Sequence, residues 1–176
     1  MFELQETVAI DGSAYKVRTD FRVILEIFVM LNDPDLDDGD KTEALMQMFY
    51  MERPADTEKA IQGFVDFIEP RKTSGSKRAN LVDWETDFDL IAAAVNHVLG
   101  TECRSLPYLH WRSFIGAYME ISPDSLFARV VSMRDKLKTG RRIEKWEWSW
   151  YLKNRELVDL PMKFSDNEQN ILEEWT

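Results

Sequence analysis

A chain of 176 residues with 44% hydrophobic and 12% aromatic side chains has the material for one packed domain. Charged residues at 31% argue against a secreted mini-protein or a membrane protein, and a single cysteine, Cys103, excludes an internal disulfide or a cysteine-built zinc site. The formal charge of −10 repels nucleic acid at long range, so no nucleic-acid partner is expected.

The first residues, "MFELQETVAI", have neither a basic start nor an apolar signal core. They alternate as a strand does, with Phe2, Leu4, Val8 and Ile10 set against Glu3, Gln5 and Thr7. "AYKVRTD" alternates in the same way, and Asp11-Gly12 between the two runs is a favoured type I′ turn pair. A two-stranded hairpin is marginal alone, so one face is expected to lie on helices.

From Asp20 the apolar period becomes helical: Phe21, Ile24, Leu25 and Phe28 stand at i, i+3, i+4 and i+7. The longest apolar run, "VILEIFVML", is too short for a bilayer and carries Glu26. No membrane partner is expected, and the chain reads as intracellular. Asn32-Asp33-Pro34 ends this helix. A second is predicted over about 41–51, with Leu45, Met48 and Phe49 inward, and a third from about Asp56 to Pro70. "RKTSGSKRAN", 71–80, is small, polar and aperiodic, and is the best candidate for a mobile linker.

Beyond it, Phe88, Ile91, Ala92, Val95 and Leu99 form a helical stripe closed by Gly100. The next helix starts around 105–107 and holds "YLHWRSFIGAY"; Ser122-Pro123 is expected to cap the one after it. A last long helix is predicted over about 141–158. The tail, 161–176, contains "NEQNILEEW", which suits a short helix. The predicted architecture is mainly α: one domain over 1–160, with an N-terminal β-hairpin packed on a bundle of about six to seven helices.

Candidate sites are few. "DPDLDDGD" looks like a calcium loop, but from Asp33 the sixth position is Asp38 where glycine is needed and the twelfth is Ala44 where a bidentate Glu is needed. Its last acids suit the positive end of the following helix. His97 points away from its helix's apolar stripe and has no second ligand at i+3 or i+4. There is no phosphate loop, nucleophile elbow or H-E-x-x-H motif, so no catalytic, cofactor or metal residues are assigned. In "YLHWRSFIGAY", Trp111, Phe114, Ile115 and Tyr118 define a buried helical face, with His110 and Arg112 on its two boundaries and Ser113 outward. His110, Trp111, Arg112 and Ser113 thus radiate around the helix; they do not converge on a substrate.

The surplus lies in "RRIEKWEWSWYLKNR". Tryptophans at 146, 148 and 150 alternate as in a strand, yet Ile143, Trp146, Trp150 and Leu157 also fit a helical stripe. On a helix, Trp148 and Leu152 face about 140–180° from that stripe. They are either sandwiched in the core or form an exposed patch that binds a partner, ringed by Arg141, Arg142, Lys145 and Arg155.

Several segments together resemble the bacteriophage gene product 15 family of tailed phages and prophages. They are "TDFRVILEI" after the hairpin, "RPADTEKAIQGFVDF", "WETDFDLIAAAV", "YLHWRSFIGAYMEIS", "FARVVSMRDK" and the closing "LVDLP". His110, Trp111, Phe114, Tyr118 and Arg134 carry the signature; Arg112 departs from it, at a position commonly aromatic. The resemblance implies a gene in the tail morphogenesis region, near the tape measure protein, and no established enzymatic activity. It therefore implies a tail assembly chaperone or accessory factor in the host cytoplasm. Its partners would be the tape measure protein, other tail proteins or further copies of itself as a homo-oligomer. The alternatives are a structural virion component, such as a tail completion or connector protein, and an unrecognised enzyme built around His110 or Cys103.

Overall fold

The computed structural model describes residues 3–69 and 81–161. The linker expected at 71–80 and the tail segment 162–176 lie outside the described residues. In chain order the elements are β1 (Thr7–Ile10), β2 (Ser13–Lys16), α1 (Phe21–Leu31), α2 (Asp38–Phe49), α3 (Thr57–Ile68), α4 (Phe88–Leu99), a 3-10 turn (Cys103–Ser105), α5 (Trp111–Met119), α6 (Leu126–Thr139), α7 (Lys145–Lys153) and α8 (Arg155–Val158). The protein is mainly helical with an N-terminal antiparallel hairpin, as the sequence predicts. The described chain divides into two compact units.

The first unit holds β1, β2, α1, α2 and α3, with Tyr108–Ser113 at the start of α5. Asp11 and Gly12 take φ of 50° and 82°, the type I′ geometry, and set the register Thr7↔Lys16 through Ile10↔Ser13. That register turns Val8 and Ile10 to one buried face. The hairpin meets α3 at Gly63, where an added Cβ would stand 2.5 Å from Val8 Cγ1 and 3.0 Å from the Tyr50 hydroxyl. Only the missing side chain allows the strand this close. The Tyr50 hydroxyl donates to the Ala60 carbonyl at 2.8 Å, and burial pushes its pKa up to about 12.

Aspartates start the helices here. Asp20, Asp37 and Asp56 each accept an amide of the first turn of α1, α2 and α3 respectively. The acidic loop therefore ends in the cap of α2, with Asp38 and Asp40 in its first turn. At the other end of α2, Arg18 Nη1 donates to the carbonyls of Gln47, Met48 and Tyr50 at 2.8–3.0 Å. Phe21, Ile24, Ile27, Phe49, Phe64 and Phe67 fill the interior, with edge-on ring contacts such as Phe49 on Phe64 at 5.0 Å.

The second unit holds α4, α6, α7, α8 and most of α5. Ile91, Ala92 and Val95 are buried along α4, which ends at Gly100 as expected. The structure moves the start of α6: Ser125, not Ser122, caps it, its Oγ accepting from the Ala128 amide at 3.1 Å. Ser122 instead holds the Asp124 amide in the preceding turn. The predicted long helix is also two helices. Asn154 donates its side-chain amide to the Trp150 carbonyl at 2.7 Å and its backbone N–H to Trp150 and Tyr151, closing α7 before α8 starts.

A buried ion pair organises this unit. Arg134 on α6 grips Asp87 with Nη1 at 2.6 Å and Nη2 at 2.9 Å, both residues nearly inaccessible. The same guanidinium donates to the carbonyls of Val158 (2.6 Å), Leu157 (2.8 Å) and Leu81 (3.0 Å). One planar fork thus fixes α8 and the segment leading into α4 onto α6.

Candidate interaction surface

The signature histidine and tryptophan belong to a backbone junction in the first unit. Phe21 N–H donates to the Leu109 carbonyl at 2.9 Å and Trp111 N–H to the Thr19 carbonyl at 2.7 Å, an antiparallel bridge between the two segments. The Thr19 and Tyr108 hydroxyls meet at 2.6 Å. His110 is buried, a correction to its boundary placement from helical angles. It precedes α5 and does not lie on it, so the 100° rule does not apply. Its Nδ1 accepts from the Arg112 amide at 2.9 Å, and its Nε2 meets the Gln5 carbonyl at 2.9 Å. A carbonyl only accepts, so Nε2 carries the proton and Nδ1 is the acceptor. Both ring nitrogens are committed to backbone.

Trp111 is 2% exposed, its ring edge-on to Phe28 at 5.6 Å and its Nε1–H directed at the Ile68 carbonyl at 3.4 Å. Arg112 lays its guanidinium 5.5 Å from the Phe67 ring centre, its Nη1 without a hydrogen-bond partner among the described residues. Burial lowers the pKa of Arg112. In the second unit Phe114 is fully buried, and Tyr118 packs between Trp84 (5.2 Å) and Phe127 (5.7 Å).

Cys103, buried in the 3-10 turn, has its thiol pKa raised by burial and by Glu102, the direction opposite to that of a reactive thiolate. Glu102 accepts from Arg104 and from Asn96, which hold its carboxyl down at about 2. His97 is exposed on α4. Among the described residues no three His, Cys, Asp or Glu side chains gather as a metal site would require.

The aromatic segment is different. Despite its alternating tryptophans it is helical, because its ends are closed locally. Glu144 N–H donates to the Glu147 carboxylate at 2.9 Å, Lys136 holds the same carboxylate from α6, and Asn154 closes the far end. Tyr151 is the buried anchor, clustered with Val130, Met133 and Val158, and its hydroxyl donates to Asp159 at 3.0 Å. Ile143 and Trp150 pack against that cluster, whereas Trp146 is 65% and Leu157 40% exposed. The expected four-residue stripe therefore holds at two positions only. Leu157 lies beyond the end of α7, so the helical phase is not carried through to it, and Trp146, inside α7, borders an open hollow beside Trp150.

Trp148 and Leu152, one turn apart, are 45% and 58% exposed. Trp148 rests on the Tyr151 ring at 5.2 Å, so an exposed indole is backed by a buried one-turn neighbour. Lys145 stands one turn before Trp148. Arg141 and Arg142 precede α7 and hold Asp135 (2.8 Å) and Glu144 (2.9 Å) through one nitrogen each, while their side chains stay 67% and 86% exposed. Arg155 pairs with Asp159 at 2.7 Å beside an open depression of about 700 Å³ lined by Leu152, Asn154 and Leu157. On the other flank, Trp146 and Trp150 border a smaller hollow of about 240 Å³, with Arg129 5.6 Å above the Trp150 ring.

A mainly helical protein with a hairpin, a backbone-tied histidine and an exposed aromatic helix flank is the class these observations define. The chain matches the family described as Bacteriophage Gp15 protein over residues 2–160, and it belongs to that family. It is thus a phage-associated protein. No curated protein and no solved structure matches it. No helix among the described residues is long and apolar enough to cross a membrane.

Proposed function

We propose that this chain is a non-enzymatic tail morphogenesis protein, a tail assembly chaperone or accessory factor that binds the tape measure protein in the host cytoplasm. The observation that carries the reading is the Trp148–Leu152 flank of α7, two large apolar side chains left open in a phage family protein. Leaving such a surface in water is unfavourable unless a partner covers it, and tryptophan beside arginine is the composition of binding hot spots. The carboxylates elsewhere, which bring the net charge to −10, keep a crowded complex soluble.

Co-expression with the neighbouring tape measure gene, with a tag on this chain, tests the reading. The tape measure protein should co-purify and gain solubility, and a Trp148→Ala/Leu152→Ala variant should lose both effects. If the two never co-purify and solubility is unchanged, the proposal fails. Mass spectrometry of purified particles bears on the alternative role, since a chaperone leaves and a tail completion or connector protein stays.

A further inference from the structure

The open flank of α7 also carries information about the chemistry of what covers it. Between Arg141 and Arg155 the chain has five basic residues against two acidic ones, within a protein of net charge −10. Glu144 and Glu147, the two acids, are occupied: Glu144 by Arg142, and Glu147 by Lys136 and the Glu144 amide. Lys145 and Lys153, at the two ends of α7, are exposed. Arg141 and Arg142 each spend a single nitrogen on an internal carboxylate, so most of each guanidinium faces solvent. The apolar centre is stiff, because Trp148 lies against Tyr151 and Tyr151 is held by Asp159. A stiff aromatic anchor loses little side-chain freedom on binding.

Three occupants fit an apolar centre with a basic rim, and the charges separate them. A second copy docked face to face through a two-fold axis would bring one basic rim up against another, each carrying Arg141, Arg142, Lys145, Lys153 and Arg155, which is repulsive. A nucleic acid would meet the basic rim but also the field of a chain carrying ten net negative charges. A protein segment with carboxylates around aliphatic or aromatic anchors satisfies both the rim and the centre.

We propose that the Trp148–Leu152 flank takes an acidic protein segment, its apolar side chains seated on Trp148 and Leu152 and its carboxylates paired with Arg141, Arg142 and Lys145. This rests on the reading of that flank as the partner site and adds the partner's chemistry to it.

The test is selection from a random displayed-peptide library on the full-length protein, with parallel selections on two variants. One is Trp148→Ala/Leu152→Ala, in which both exposed apolar groups are lost. The other is Arg141→Glu/Arg142→Glu/Lys145→Glu, which reverses the rim. Circular dichroism should show both variants folded, since all five side chains are exposed. Peptides recovered on the wild type should be net acidic with two or more large apolar residues, bind about tenfold or more weaker to the first variant, and weaken as salt is raised. The charge-reversed protein should instead select basic peptides.

Neutral or basic peptides on the wild type, binding indifferent to the first variant, or no enrichment would overturn the proposal. So would a solution mass of two copies that falls to one in the first variant, which would assign the flank to self-association. Preferred binding of single-stranded DNA over any peptide would overturn it in favour of nucleic acid. Tape measure co-purification without acidic selectivity would remove this inference and leave the proposed function standing. Acidic selectivity without tape measure co-purification would do the reverse.

Discussion

Replacing Arg134 with Met keeps most of the apolar stem and removes the guanidinium. Asp87, 1% exposed, would then keep a carboxylate away from water with the Asp83 amide (2.9 Å) as its one remaining partner among the described residues. The carbonyls of Val158, Leu157 and Leu81 would lose their donors as well. Breaking a buried pair from one side costs about 3–5 kcal/mol, because the remaining charge is uncompensated. At about 2–4 °C per kcal/mol for a chain of this size, that is a fall in Tm of about 6–20 °C. Urea unfolding followed by circular dichroism would give the free energy, and a thermal melt the shift. Because the cost lies in the orphaned charge, Asp87→Leu/Arg134→Met should be more stable than the two single losses added together, by about 0.5–3 kcal/mol. An Arg134→Met protein within about 0.5 kcal/mol of the parent, or a strictly additive double variant, would refute the assignment of Arg134 as the organiser of the second unit.

Trp111→Ala should cost about 3–5 kcal/mol, since a fully enclosed ring is removed. His110→Ala should cost less, about 1–2 kcal/mol for a lost helix-start acceptor and one backbone contact; a melt showing the reverse order would contradict both placements. Gly63→Ala should destabilise the first unit by about 1–3 kcal/mol, because its methyl group meets Val8 at 2.5 Å; a Val8→Ala background should recover much of that loss in the same denaturation assay. Glu102 should titrate in the folded protein at about 2, well below its ordinary value of 4.5. Its folded pKa is depressed, so its stabilising effect is present above pH 4.5 and lost as pH falls towards 2. Carboxyl NMR should show that midpoint, and Arg104→Ala should raise it.

The outcomes along the chain divide by the range of the interaction that decides them. Asp11-Gly12 and the helix starts at Asp20 and Asp56 were legible because a turn or a cap is settled within a few residues. Where local signals compete, the stronger-looking one misleads: Ser122-Pro123 is expected as the cap, yet Ser125 is the residue that caps α6. The candidate surface was legible in part. If the segment is a helix, spacing alone turns Trp148 and Leu152 away from Ile143, but it cannot say whether another element covers them. A helical angle misplaces His110, whose role depends on Gln5, 105 residues away.

By itself, the sequence determined the hairpin, the helical character of most of the rest, the family, and the charge contrast around the tryptophans. The hairpin, the helices and the charge contrast depend on composition or short spacing, whereas the family rests on a match that spans residues 2–160. Tertiary structure alone decided that Asp87 is the partner of Arg134, 47 residues distant. It also decided that Gly63 is the contact point for Val8, that Tyr151 and not Trp146 anchors α7, and that the Trp148–Leu152 flank is open. Whether a side chain meets water depends on which distant surface arrives opposite it, and a one-dimensional pattern does not carry that distance.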